Sequence, residues 1–222
     1  MAYILNIETA TKSCSVAIAK DGVTLLCKEM AEQGYSHAEK LHVFIEEILA
    51  ETHLKFSDLN AIAVSQGPGS YTGLRIGVSA AKGLCFALNI PLIAVDTLNV
   101  LALKAKVNSG LIVPMIDARR MEVYSAVFDA NYQKTENVKA EVITETSYAE
   151  ITEMVHFISD CPEKLKTVLT SSNFIVADEV TYPSANDMAG LSFDKYKKND
   201  TVDVAYFEPY YLKDFFLQKD QL

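Results

Sequence analysis

Apolar residues along the chain switch between two spacings. Residues 3–7 form a short apolar run closed by Glu8 and Thr9, and residues 14–19 alternate small and apolar side chains. Asp21-Gly22 separates that run from the next, residues 23–30; both residues tolerate the positive φ of a tight hairpin turn. The pattern predicts three consecutive antiparallel strands. The spacing then changes. Leu41, Phe44, Ile45, Ile48 and Leu49 recur at steps of three and four, with Glu46 and Glu47 opposite, which predicts a helix ending near His53. Ser36 and Glu39 have the S-x-x-E spacing of a capping box at its start.

Residues 61–65 read as a strand buried on both faces. A glycine-rich loop, 67–73, follows, then a helix over 74–88, a strand over 92–95 after Pro91, and a helix over 98–106. The order βββαβαβα fits a mixed five-stranded sheet of the ribonuclease H-like or actin-like kind, an α/β fold. The second half opens in the same way: a strand over 111–116, a turn over 117–120 and an outgoing strand over 121–128 that ends at 129–131. This strand–turn–strand opening suggests a duplicated lobe, with lobes over 1–107 and 108–222. Residues 145–170 read as helical in places, 173–177 as a strand, and 194–203 as an exposed polar loop. The aromatic tail, from about 205, is expected to dock back on the N-terminal lobe.

Composition narrows the function classes. With 222 residues, half of them hydrophobic, the chain can bury a sizeable core. Its net charge of −9 argues against gripping a phosphate backbone alone, so any RNA contact is expected only through a complex. Cys14, Cys27, Cys85 and Cys161 are widely spaced, without C-x-x-C, and read as reduced thiols of a cytoplasmic protein. Charged residues interrupt every early apolar stretch, so neither a signal peptide nor a membrane span is predicted.

Candidate chemistry is sparse. The 67–73 loop opens a helix, as phosphate cradles do, but Gly73 is followed by Leu74-Arg75 rather than Lys-Ser/Thr, and Thr72 spoils G-x-G-x-x-G. Gly73, Gly77, Ala80, Ala81 and Leu84 form a small-residue face on the helix that follows. Two readings stay open for it: packing within the chain, and packing against a helix of a second chain. His37 and His42 are five apart, not the four of a helical metal pair, and His37 reads as an exposed surface residue. No G-x-S-x-G elbow is present. Glu8-Thr9 stands where actin-like ATPases and sugar kinases carry an Asp, and the turn after it, Ala10-Thr11-Lys12-Ser13, lacks glycine, which makes nucleotide hydrolysis doubtful.

Several of these segments resemble the TsaB (YeaZ) family of threonylcarbamoyladenosine biosynthesis in tRNA. The opening, residues 4–11 with Cys14-Ser15-Val16-Ala17, resembles the family's opening. The run from Gly67 to Gly77, with Ala81-Lys82-Gly83, is its most specific stretch, and Ser36-His37-Ala38-Glu39 and Pro209-Tyr210-Tyr211-Leu212-Lys213 also fit. The resemblance implies a two-lobed actin-like ATPase fold without catalytic activity and without cofactor or metal. It also implies pairing with TsaD through the N-terminal lobes, and action with TsaE to support threonylcarbamoyl transfer to the adenosine beside the anticodon. The partner surface it implies comprises Ser36, His37, Glu39, Leu41, Gly69, Tyr71, Thr72, Gly73, Arg75, Gly77, Ala80, Ala81 and Leu84, with Glu8 and Thr9 as a degenerate nucleotide site. The same surface could accept a second copy of the chain when the partner is absent. TsaD holds metal through two histidines four apart; Leu41 stands at the second position here. A sugar-kinase-like phosphotransferase and a metallopeptidase are the competing readings.

Overall fold

The structure is a computed structural model that describes residues 1–31 and 37–213. The first sheet is built from β1 (Tyr3–Glu8), β2 (Ser13–Lys20), β3 (Val23–Ala31), β4 (Ala61–Gly67) and β5 (Leu92–Asp96), in the order β3-β2-β1-β4-β5. β1 to β3 are antiparallel, while β4 runs parallel to β1 and to β5. The β2–β3 hairpin turns where the sequence predicts it: Asp21 and Gly22 both take positive φ, 50° and 86°.

Helix α1 (His37–Glu51) and helix α2 (Tyr71–Leu88) cover one face of this sheet. α2 starts three residues earlier than the apolar pattern predicts, because Ser70 caps it by accepting the Gly73 amide. It ends at Asn89, in the left-handed region at φ 54°. α3 (Thr97–Ala102) is shorter than expected; the Asp96 side chain caps its start by accepting from Leu98 and Asn99.

The second sheet contains β6 (Leu111–Asp117), β7 (Glu122–Phe128), β8 (Lys134–Val142), β9 (Val155–Ser159) and β10 (Phe174–Val176), in the order β10-β9-β6-β7-β8. Its strand directions repeat those of the first sheet. The short helix α4 (Pro162–Lys166) contributes Leu165 to the core on one face of this sheet, while Leu98 and Leu101 of α3 pack against Ile112, Ile116 and Phe128.

Three expectations about the second half need correction. β8 follows the point where the outgoing strand was expected to end. As an outer strand with every residue at least partly exposed, it shows no buried alternation to reveal it. Residues 145–170 contain the buried strand β9 as well as a helix of five residues. Residues 194–197, expected in an exposed loop, belong to helix α5 (Ala189–Lys197). Leu191, Phe193 and Tyr196 turn one side of α5 onto Ile4, Ala17, Ala61 and Ala63, the second face of the first sheet, with Ala185 and Met188 beside them. The lysines and aspartates on its other side masked that pattern. The chain thus returns to the first sheet after completing the second.

Candidate functional site

β1 and β4 run parallel, and their carboxyl ends carry the turn at residues 9–12 and the loop from Gly67. The glycines of this region press against that turn. A Cβ on Gly69 would lie 2.3 Å from the Ala10 carbonyl oxygen, and one on Gly73 would lie 2.1 Å from that of Thr9. One on Gly77 would lie 2.3 Å from Thr9 Oγ1. Real side chains do not tolerate such approaches. Two hydrogen bonds hold the contact: the Ser70 amide donates to the Ala10 carbonyl at 2.6 Å, and the Thr9 hydroxyl donates to the Gly73 carbonyl at 2.8 Å. Of the two readings of the small-residue helix face, the one within the chain therefore accounts for Gly73 and Gly77.

Several residues expected at the partner surface are likewise internal. His37 is buried, not exposed. Its Nε2–H donates to the carbonyls of Thr11 (2.9 Å) and Ser13 (3.2 Å), pinning the start of α1 to the same turn. Leu41 and Ala81 are fully buried in the first core. Ser36, and with it the capping box, lies outside the described residues. Glu39, Thr72 and Arg75 are exposed; Gly69, Tyr71, Ala80 and Leu84 are half-buried.

Helix α2 presents a face that the small-residue pattern did not single out. Thr72, Ile76, Ser79, Gly83 and Phe86 follow one another at steps of four and three, along one side. Phe86 is 84% exposed, and a Cβ on Gly83 would meet nothing within 4 Å. Lys82, Gly83 and Phe86 form one wall of an open groove of about 590 Å³, and Asp203, Val204 and Ala205 form the other. Val43 of α1 is also exposed. The signal was present in the sequence as an aromatic residue three positions after a glycine, off the core stripe.

Glu8 ends β1 fully buried. It accepts the Ala10 amide at 2.6 Å and the Ser65 hydroxyl. Burial pushes its carboxyl up to about 7, against the pull of these two donors, and Glu29 raises it further. The strand registers place Ser15 between Glu8 and Glu29, on one row across the sheet. Glu8 and Thr9 are thus consumed by internal contacts. Among the described residues no group of three His, Cys, Asp or Glu is placed to hold a metal ion. The four cysteines are free thiols, and burial raises those of Cys14, Cys85 and Cys161 to about 12.

The tail crosses to the first lobe. The Tyr210 amide donates to the Gln66 carbonyl at 2.7 Å, and Lys82 Nζ donates to the carbonyls of Ala205 and Phe207. Gly67 takes φ 114°, and a Cβ there would lie 2.6 Å from the Tyr210 carbonyl oxygen, so glycine lets the tail lie on the loop. Arg75 stacks on Tyr71, its guanidinium carbon 4.1 Å from the ring centre, and donates from Nε to the Tyr211 hydroxyl at 3.1 Å.

Comparison with known proteins places this architecture. A family model described as TsaD, tRNA N6-adenosine threonylcarbamoyltransferase, matches residues 29–207. The chain is 32% identical to the tRNA threonylcarbamoyladenosine biosynthesis protein TsaB of Escherichia coli strain K12, over 95% of this chain and 94% of that one. YeaZ from Pseudomonas aeruginosa superposes with a TM-score of 0.81 at 25% identity, over 96% of this chain and all of that one. An activator of 2-hydroxyisocaproyl-CoA dehydratase from Clostridium difficile, with bound ADPNP, shares the fold alone: TM-score 0.50, 9% identity, over 89% of this chain and 97% of that one. The two repeated mixed sheets are the lobes of an actin-like ATPase fold, and the chain belongs to the TsaB (YeaZ) family of tRNA threonylcarbamoyladenosine biosynthesis proteins.

Proposed function

We propose that this chain is a non-catalytic cytoplasmic subunit that pairs with a TsaD-type transferase through the exposed sides of α1 and α2. With a TsaE homologue, the pair supports transfer of a threonylcarbamoyl group to the adenosine beside the anticodon of tRNA. The observation that carries the reading is the face of α2 on which Phe86 stands 84% exposed beside the open surface of Gly83. A large aromatic side chain left in water next to a glycine is the kind of anchor that a docking helix buries. Glu39, Glu46 and Glu47 are exposed on α1, so the partner's facing surface is expected to be basic. The non-catalytic reading is supported by the turn after β1, which the loop at 67–70 and His37 fill from both sides.

Native mass spectrometry of the chain mixed with the TsaD homologue of the same organism tests this. A one-to-one complex that displaces any homodimer is expected, with Gly83→Arg or Phe86→Glu weakening it by at least 100-fold. Phe56→Glu, on the short helical turn at 56–58, should leave it intact. Association indifferent to Gly83 and Phe86 would sink the interface. The phosphotransferase reading is checked by calorimetry with ATP: binding at micromolar concentration and turnover with an acceptor would revive it.

A further inference from the structure

β4 and β5 run parallel and end side by side, Gly67 opposite Asp96. From there the chain leaves to opposite faces of the sheet. Val78, Ala81 and Cys85 of α2, which follows β4, pack with Leu5, Val64 and Leu92 on one face. Val100 of α3, which follows β5, packs with Ile93 and Val95 on the other. Adjacent parallel strands that part in this way leave a crevice beyond their carboxyl ends, where open α/β sheets bind ligands. In this chain the crevice is a cavity of about 380 Å³, lined by Ala94 and Val95 of β5, Leu191 of α5 and a set of polar side chains. That is the size of a small-molecule site.

The polar side chains of the lining are of two kinds. The carboxylates are matched. Asp96 pairs with Lys134 and caps α3, Asp194 pairs with Lys197 at 2.9 Å, and Asp200 pairs with Lys195 at 2.6 Å. Gln66, Asn99 and Lys198 are not matched. Among the described residues neither side-chain amide has a hydrogen-bond partner, and Lys198 makes no ion pair, although Asp194 feels its charge. Asn99 Oδ1 is moreover buried. A buried carbonyl oxygen without a donor costs stability, and leucine would fill the same space without that cost.

Two free amides offer donors and acceptors together, which matches hydroxyl groups. One unmatched ammonium calls for one negative charge. A phosphate dianion would set its second charge against Asp96, Asp194 and Asp200. We propose that this crevice binds a small hydroxylated monocarboxylate of the sugar-acid kind, its carboxylate on Lys198 and its hydroxyls on the amides of Gln66 and Asn99. α3 and α5 lie on the face of the sheet opposite α1 and α2, so the site is separate from the partner surface and stands whether or not that pairing occurs.

The test is isothermal titration calorimetry of the full chain with sodium D-gluconate and sodium D-glucuronate. At least one of them should bind with a Kd below about 1 mM. Glucose, which lacks the charge, and glucose 6-phosphate, which carries two, should each bind about tenfold more weakly or worse. Asn99→Leu should raise the melting temperature and weaken binding about tenfold. Lys198→Glu, at an exposed position, should abolish binding with the melting temperature unchanged. Lys55→Glu, exposed and outside the crevice, should leave affinity unchanged. Absence of binding by both sugar acids overturns the proposal. So does equal affinity for glucose or for glucose 6-phosphate, or wild-type affinity in the Lys198→Glu variant. Should Asn99→Leu fail to fold, the Lys198→Glu variant still decides the matter.

Discussion

At the residue scale, the turn after β1 explains why particular glycines are where they are. Gly73 and Gly83 both sit inside α2, where glycine costs about 1 kcal/mol relative to alanine. Their surroundings differ: the Thr9 carbonyl crowds Gly73, and nothing crowds Gly83. Gly73→Ala is therefore expected to destabilise by about 2–3 kcal/mol through overpacking against backbone. Gly83→Ala should stabilise by up to about 1 kcal/mol. Urea unfolding of both variants checks the pair, and similar effects would refute the packing argument. Glu8 makes a second prediction. Its carboxyl is raised from 4.5 to about 7 by burial, so the folded chain holds a proton that the unfolded chain releases. Its contribution is full below about pH 4.5 and is lost as pH rises through 7, by roughly 3 kcal/mol in all. Glu8→Gln should flatten the fall in stability between pH 5 and 8. A wild-type-like slope in that variant would mean that Glu8 does not carry it.

At the element scale, helix periodicity was legible wherever one face is buried and the other wet. α1 shows its stripe plainly, and the predicted core positions Leu41, Phe44, Ile45, Ile48 and Leu49 are all buried. α5 hid its stripe, because its contacts are the half-buried Leu191, Phe193 and Tyr196 among charged neighbours. Its role is testable: Phe193→Ala should cost about 2 kcal/mol, whereas Asp194→Ala, on the exposed side, should lie within about 0.5 kcal/mol of wild type. Equal effects would mean that α5 does not cover the sheet. On α2 the sequence showed which residues are small but not which way they point. Gly73, Gly77 and Ala81 turn inward, and the outward face belongs to Thr72, Ser79, Gly83 and Phe86. The 3.6-residue spacing defines faces; only the position of the sheet decides which face is the inner one.

At the scale of the whole molecule, the tail ties distant parts together. It bonds to Gln66, Lys82 and Arg75 of the first lobe and to Glu122 of the second. Truncation after Ala205 should speed amide exchange in the 67–70 loop at least tenfold while leaving β9 within twofold of the full chain. Unchanged exchange in the loop would show that the tail does not hold it. The sequence alone determined the succession of elements in the first lobe, the Asp21-Gly22 turn, the α1 core and the family, because these rest on local spacing, turn chemistry and specific short runs. Only the tertiary structure decided that His37, Gly73 and Gly77 serve the interior, that Glu8 is sealed among neutral donors, and that α5 returns to the first sheet. Burial and proximity between residues far apart in sequence are set by how the sheets close. No local pattern of residues encodes them.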